Sequence, residues 1–145
     1  MARMIFVNLP VTDLKRSMAF YEAVGAANEP KFTTEAAAMM RFSEAVNVML
    51  LTHDFYRGFT TKQIPDAHQS AQMLLCLSAD SREAVDAQVE AAAGTGAKID
   101  VTPRQDMGGM MYGRSFEDPD GHIWEVMWMA QEAAAEQGAG AFENA

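Results

Sequence analysis

Residues 113–129, GRSFEDPDGHIWEVMWM, constrain the fold more than any other stretch of the chain. Two apolar runs flank Asp118, Pro119, Asp120 and Gly121. Pro119 presets the backbone for the second position of a tight turn, and Gly121 accepts a positive φ at no steric cost. Beyond the turn, Ile123, Glu125 and Met127 alternate with Trp124, Val126 and Trp128. That period belongs to a β-strand, and apolar groups on both faces require a central strand with helices covering one side. Glu125 is the one acid in this strand, so it must face an open cavity, a cation or a hydrogen-bond donor.

The remaining sequence has to supply those helices and the neighbouring strands. At 145 residues the chain can build one domain, or two small halves that share a core. A hydrophobic content of 49% with 21% charged residues is that of a globular protein. The net charge of −9 argues against nucleic acid or an anionic membrane as partner, since both reward clustered Lys and Arg. No segment approaches the ~18 consecutive apolar residues of a membrane span. Cys76 is alone and cannot close an internal disulfide; with no apolar leader after Met1, a cytoplasmic location is expected.

Read along its length, the chain repeats one order of elements. An apolar run over residues 4–10 predicts a strand. Asp13 follows as N-cap of a helix whose face carries Leu14, Met18, Tyr21 and Val24, closed by Gly25. A short strand is predicted over 31–34 and a hairpin over 37–42 and 46–52. Residues 53–70 break the pattern, mixing Phe55, Tyr56 and Phe59 with Gly58 and Pro65; they read as a connector with one helical turn that partly covers a site. The order then restarts with a strand over 73–79. A helix follows, capped by Asp80 and Glu83 and closed by Gly94 and Gly96. Strands are expected at 98–102, 112–118 and 122–129. Sliding residues 6–13 over 73–80 superposes the two halves, which indicates a duplicated βαβββ unit. The predicted organisation is a first module at 3–52, the connector at 53–70, a second module at 71–130 and a frayed or disordered tail at 131–145.

The segments NLPVTDLKRSMAFY (8–21) and FEDPDGHIWE (116–125) resemble the opening and closing motifs of the vicinal oxygen chelate superfamily. This superfamily groups glyoxalase I, extradiol dioxygenases and bleomycin-resistance proteins. Residues 3–130 carry the resemblance, which is strongest to small bacterial proteins regarded as lactoylglutathione lyases. It implies an α+β fold of two βαβββ modules curled as a mixed sheet around an open cavity, usually in a homodimer. It also implies where a metal would sit: on the first and last strands of each module, at Phe6, Leu50, Met73 and Glu125. Only Glu125 offers a suitable donor, because Phe and Leu have no lone pair and a thioether is a poor ligand for Zn²⁺, Ni²⁺, Mn²⁺ or Fe²⁺. No resident metal is therefore expected.

The fold leaves function open. Glu125 is the candidate general base, or else it pairs with Arg41 or Arg114. Phe6, Asn8, Leu50, Met73, Tyr112, Arg114 and Glu125 are the candidate ligand-binding set. The three histidines, His53, His68 and His122, are scattered and lack metal-site spacing, and His122 should be exposed on its hairpin. Cys76, among leucines, should be a buried small hydrophobe. The expected function is metal-independent binding of a small, partly apolar molecule. The alternative is a glyoxalase-like lyase or isomerase acting through Glu125.

Overall fold

The computed structural model describes residues 3–131. Two four-stranded mixed sheets carry the fold, one per module, and neither closes on itself. In the first, β4 (Val46–Thr52) lies between β1 (Ile5–Val11), which runs parallel to it, and the antiparallel β3 (Ala37–Arg41); β2 (Ala27–Glu29) completes the far edge. The second repeats this with β5 (Leu75–Ser78), β8 (Ile123–Met129), β7 (Met111–Glu117) and β6 (Gln105–Asp106). Pro10 is tolerated in β1 because that strand is an edge and needs no outward donor.

Each module contributes one long helix to a shared core. In α1 (Leu14–Ala23) the Asp13 carboxylate accepts from Arg16 N at 3.1 Å, and Gly25, at φ 108°, ends the helix. The helix buries Ser17, Phe20 and Tyr21. In α3 (Arg82–Gly94), Val85, Val89 and Ala92 form the buried stripe. Leu9, Val11, Val48 and Leu50 of the first sheet, Phe116, Trp124 and Val126 of the second, and both helices form one apolar cluster. Phe20 meets Phe116 edge-on at 5.7 Å, and Gln88 Nε2 donates to Val24 O at 2.8 Å across the junction. Because strand side chains alternate, the opposite faces of the sheets point away from the helices. Those faces carry Phe6, Asn8 and Met49 in one module, and Cys76, Glu125 and Met127 in the other.

Four local expectations are corrected. Residues 31–34 are not a strand: Pro30 opens a 3₁₀ turn, Pro30–Phe32, and the strand lies just before it. Ser81 caps α3, accepting from Ala84 N at 3.0 Å, where Asp80 had been expected. Residues 98–102 make only one bridge, Ile99 to Phe116, because Asp100 turns the backbone to φ 53°. Cys76 is exposed, since β5 is an edge strand and residue 76 alternates away from the core side chains Leu75 and Leu77. The predicted tail lies outside the described residues, apart from Gln131.

Candidate functional site

The end of β1, the start of β8 and the segment ahead of β5 converge on a cavity of about 110 Å³. Its walls include Asn8, Leu9, Pro10, Met73, Leu75 and Ile123, while residues 65–72 roof it. A short helix, α2 (His53–Tyr56), is capped by Thr52, whose hydroxyl accepts from Phe55 N at 3.3 Å, and brings Tyr56 to the rim. His122 reaches the same space and bonds Pro10 O through Nε2 at 2.9 Å. Since a carbonyl only accepts, Nε2 carries the proton. His122 is thus half-buried and engaged, not exposed as the sequence suggests; its neighbour Gly121 tucks it under the roof. Sequence reasoning passed over Pro10 and set His122 aside as exposed, while the aromatic break in periodicity at 55–59, which includes Tyr56, marked the segment that leads into the roof.

The seven candidate residues do not come together. Asn8 and Met73 line the cavity. Phe6 stands on the open face of the first sheet, 48% exposed. Glu125 stands on the open face of the second, between Cys76 and Ser115. Partial desolvation by its neighbours, and then the Glu125 charge, push the Cys76 thiol up from its ordinary pKa. Leu50, Tyr112 and Arg114 occupy the helix side instead, away from the cavity. Leu50 is fully buried in the core, and strand alternation turns Met49 to the open face in its place. Tyr112 donates to Asp86 Oδ1 at 2.7 Å. Arg114, 4% exposed, donates to Asp86 and Glu90 on α3 and to both oxygens of Asp100. That pairing, reinforced by Arg104, draws the Asp100 carboxyl down to about 2. Neither Arg41 nor Arg114 pairs with Glu125; among the described residues no basic group lies within ion-pair distance of it.

A metal fits poorly. Of the four positions the resemblance implies, one side chain is a carboxylate, and Leu50 does not face the same side of its sheet as Phe6. Among the described residues, no three His, Cys, Asp or Glu side chains gather as an ion would require. The histidines are nonetheless less scattered than the sequence implies. His53, His68 and His122 all line one open cleft with Arg16, Asp66 and Asp120, and the cleft shares Pro10, Pro65, Ala67 and His122 with the cavity.

The turn at 118–121 proves to be a junction. Tyr21 donates to Asp118 Oδ2 at 2.7 Å and accepts from Trp124 Nε1 at 2.9 Å. Asp118 Oδ1 accepts from the N–H groups of Asp120 and His122, both at 2.9 Å. Asp120 in turn accepts from Thr12 N, Thr12 Oγ1 and Ser17 Oγ. Burial raises the Asp118 carboxyl above its ordinary range, and burial with the Asp118 charge raises the Tyr21 phenol well above 10. These groups fix the two modules against each other and so fix the mouth of the cavity.

Comparison with known proteins agrees with this architecture. Residues 3–126 match the family model described as the Glyoxalase/Bleomycin resistance protein/Dioxygenase superfamily. A family enzyme from Burkholderia phytofirmans superposes with a TM-score of 0.74 at 19% identity, covering 89% of this chain and all 100% of that one. A hypothetical protein from Staphylococcus aureus gives 0.71 at 22% identity over 88% and 95% of the two chains. The fosfomycin resistance protein of Listeria monocytogenes, solved with Mn(II) and sulfate, gives 0.67 at 16% identity over 94% and 98%. No curated protein matches the sequence.

Proposed function

The chain belongs to the glyoxalase/bleomycin resistance protein/dioxygenase superfamily, and on that premise we propose that it binds a small, neutral, partly apolar molecule without a metal. The observation that carries this reading is the cavity lining. It holds no Asp, Glu, Lys or Arg, and its polar groups are Asn8, Ser70, Gln72, Tyr56 and His122. Such a wall rewards apolar contact and a few oriented hydrogen bonds and rejects an unpaired charge. Its size, about 110 Å³, suits a fragment no larger than a single ring. The test is thermal shift against neutral and charged single-ring fragments, with the cavity-filling variant Ile123→Trp as control. Neutral fragments should raise Tm in the wild type only. Tight retention of Zn²⁺, Ni²⁺, Mn²⁺ or Fe²⁺ at one equivalent per chain, lost in Glu125→Gln, would overturn metal independence.

The reading includes self-association in the cytoplasm. Met4 just ahead of one edge strand, Ile5 and Phe6 on it, and Met73 and Leu74 ahead of the other, are each about half exposed, and among the described residues both edges lack a pairing partner. Exposed apolar edges of this kind favour a second copy as cover. Light scattering should give a dimer mass, weakened by Phe6→Glu. No helix among the described residues is long and apolar enough to cross a membrane.

A second reading makes Glu125 the general base of a lactoylglutathione lyase-type lyase or isomerase. It is supported by a carboxylate on the open face beside Cys76 and Ser115 with no ion-pair partner among the described residues. Turnover of the methylglyoxal–glutathione hemithioacetal, abolished by Glu125→Gln, is the result this reading requires.

A further inference from the structure

We infer that residues 57–73 form a strap that gates the cavity, seated on Gly121 and held to the two sheets by contact alone. What the gate admits rests on the binding function proposed above; the gate itself does not. Among the described residues, the hydrogen bonds of this segment run within it or back to α2, which precedes it. Arg57 N donates to His53 O, Gly58 N to Phe55 O, and Gln69 N and Ser70 N to Asp66 O. The side-chain bonds close locally as well: Arg57 to Asp54, Lys62 N to Thr60, and His68 N to Asp66. Among the described residues, none of these bonds reaches a strand of either sheet. Yet Pro65, Ala67, Ser70, Ala71, Gln72 and Met73 form the roof and one wall of the cavity. A roof without hydrogen bonds to its frame opens at the cost of packing only, which places it at the low-stability end of the molecule.

The seat is specific to glycine. A Cβ at Gly121 would stand 2.7 Å from Ala67 C and His68 N, and 2.8 Å from His68 Nδ1. Two of those atoms are backbone, so the strap itself would have to rise. Gly121 also has φ 94°, which any other residue adopts only under strain. The chain supplies the means to separate these effects. Gly25 and Gly96 have φ 108° and 91°, and a Cβ at either meets nothing within 4 Å. Gly25→Ala and Gly96→Ala therefore carry the backbone strain without the lifted strap.

Arg57 and Lys62 are exposed within the strap and report its opening to trypsin. With no ligand present, Gly121→Ala should be cut at these two sites about tenfold faster than either control at matched distance from its Tm, because cleavage follows the open population. Equal rates in all three variants would overturn the gate. Should Gly121→Ala fail to fold, native-state hydrogen exchange of the wild type decides. The amides of Gln69 and Ser70 should exchange by local opening while those of β4 and β8 stay protected. Exchange of all of them only through global unfolding would sink the inference. Both measurements are made without ligand, so a failed fragment screen leaves them standing, and the converse holds.

Discussion

The two modules solve the same hairpin in opposite ways. In the first, the turn between β3 and β4 passes through Ser43 and Glu44, both exposed, and its hydrogen bonds stay at home. Phe42 N donates to Val46 O at 3.0 Å, and Val46 N to Ser43 Oγ at 3.2 Å. In the second, the turn between β7 and β8 is buried at Asp118, Asp120 and Gly121. Its side chains and those around it find partners at Pro10, Thr12, Ser17 and Tyr21, all in the other module. One copy of a duplicated element closes a strand pair; the other also holds the two halves together. Burying two carboxylates is tolerable there because each is met by several donors.

That contrast sets the largest expected effect. Asp118→Ala orphans Tyr21 Oη and two N–H groups in a buried site and should cost about 3–4 kcal/mol in urea unfolding, whereas Glu44→Ala on the solvated turn should stay within about 0.5 kcal/mol. Equal losses would break the comparison. Tyr21→Phe sharpens it: the ring and its packing remain, but Asp118 Oδ2 and Trp124 Nε1 lose their shared partner. A loss of about 1–2 kcal/mol is expected. A neutral result would mean that packing of Tyr21 against Phe20 and Trp124, and not its hydroxyl, fastens the junction.

Much of this was legible in the sequence, and the remainder was not for identifiable reasons. The period-two run at 123–129 and the i, i+4, i+7 stripe of Leu14, Met18 and Tyr21 in α1 are local signals, and both elements formed where those signals lay. The turn chemistry of Pro119 and Gly121 was likewise local. What one strand cannot tell is which of its faces meets the helix. The resemblance implies Leu50 on the open side although its neighbour Met49 is the residue that turns there; strand 46–52 is apolar on both sides, so alternation gives no polarity to decide between them. The partners of Tyr112 and Arg114 were hidden for a related reason: in the sequence a strand arginine looks like a ligand clamp, and Asp86, Glu90 and Asp100 arrive from other elements. The aspartates of 118–121 could be read as a turn, but not as a bridge to residues about a hundred positions earlier.

The smallest expected effect tests the second contrast between modules, that between their strand arginines. Among the described residues Arg41, at the end of β3, reaches only Glu44 O, at 3.4 Å and in the open. Arg114 in β7 is buried under three carboxylates. Only the latter should leave a mark on acid stability. The Asp100 carboxyl lies at about 2 in the folded state against an ordinary 3.8, chiefly through the hydrogen bonds from Arg114. A value depressed by folding means that the unfolded chain binds the proton first. The pair's contribution is therefore complete above about pH 4 and drains away as pH falls toward about 2. Asp100→Asn is a fair probe, since Asn also tolerates the φ of 53° and keeps one acceptor for Arg114. Wild type should lose stability faster than Asp100→Asn across that window, so that their difference shrinks as the acid limb is descended, while Arg41→Gln should run parallel to wild type. Parallel limbs for wild type and Asp100→Asn would show that Asp86 and Glu90 alone hold Arg114. The three-carboxylate cluster would then be a property of α3 rather than a tie between that helix and the 98–104 loop.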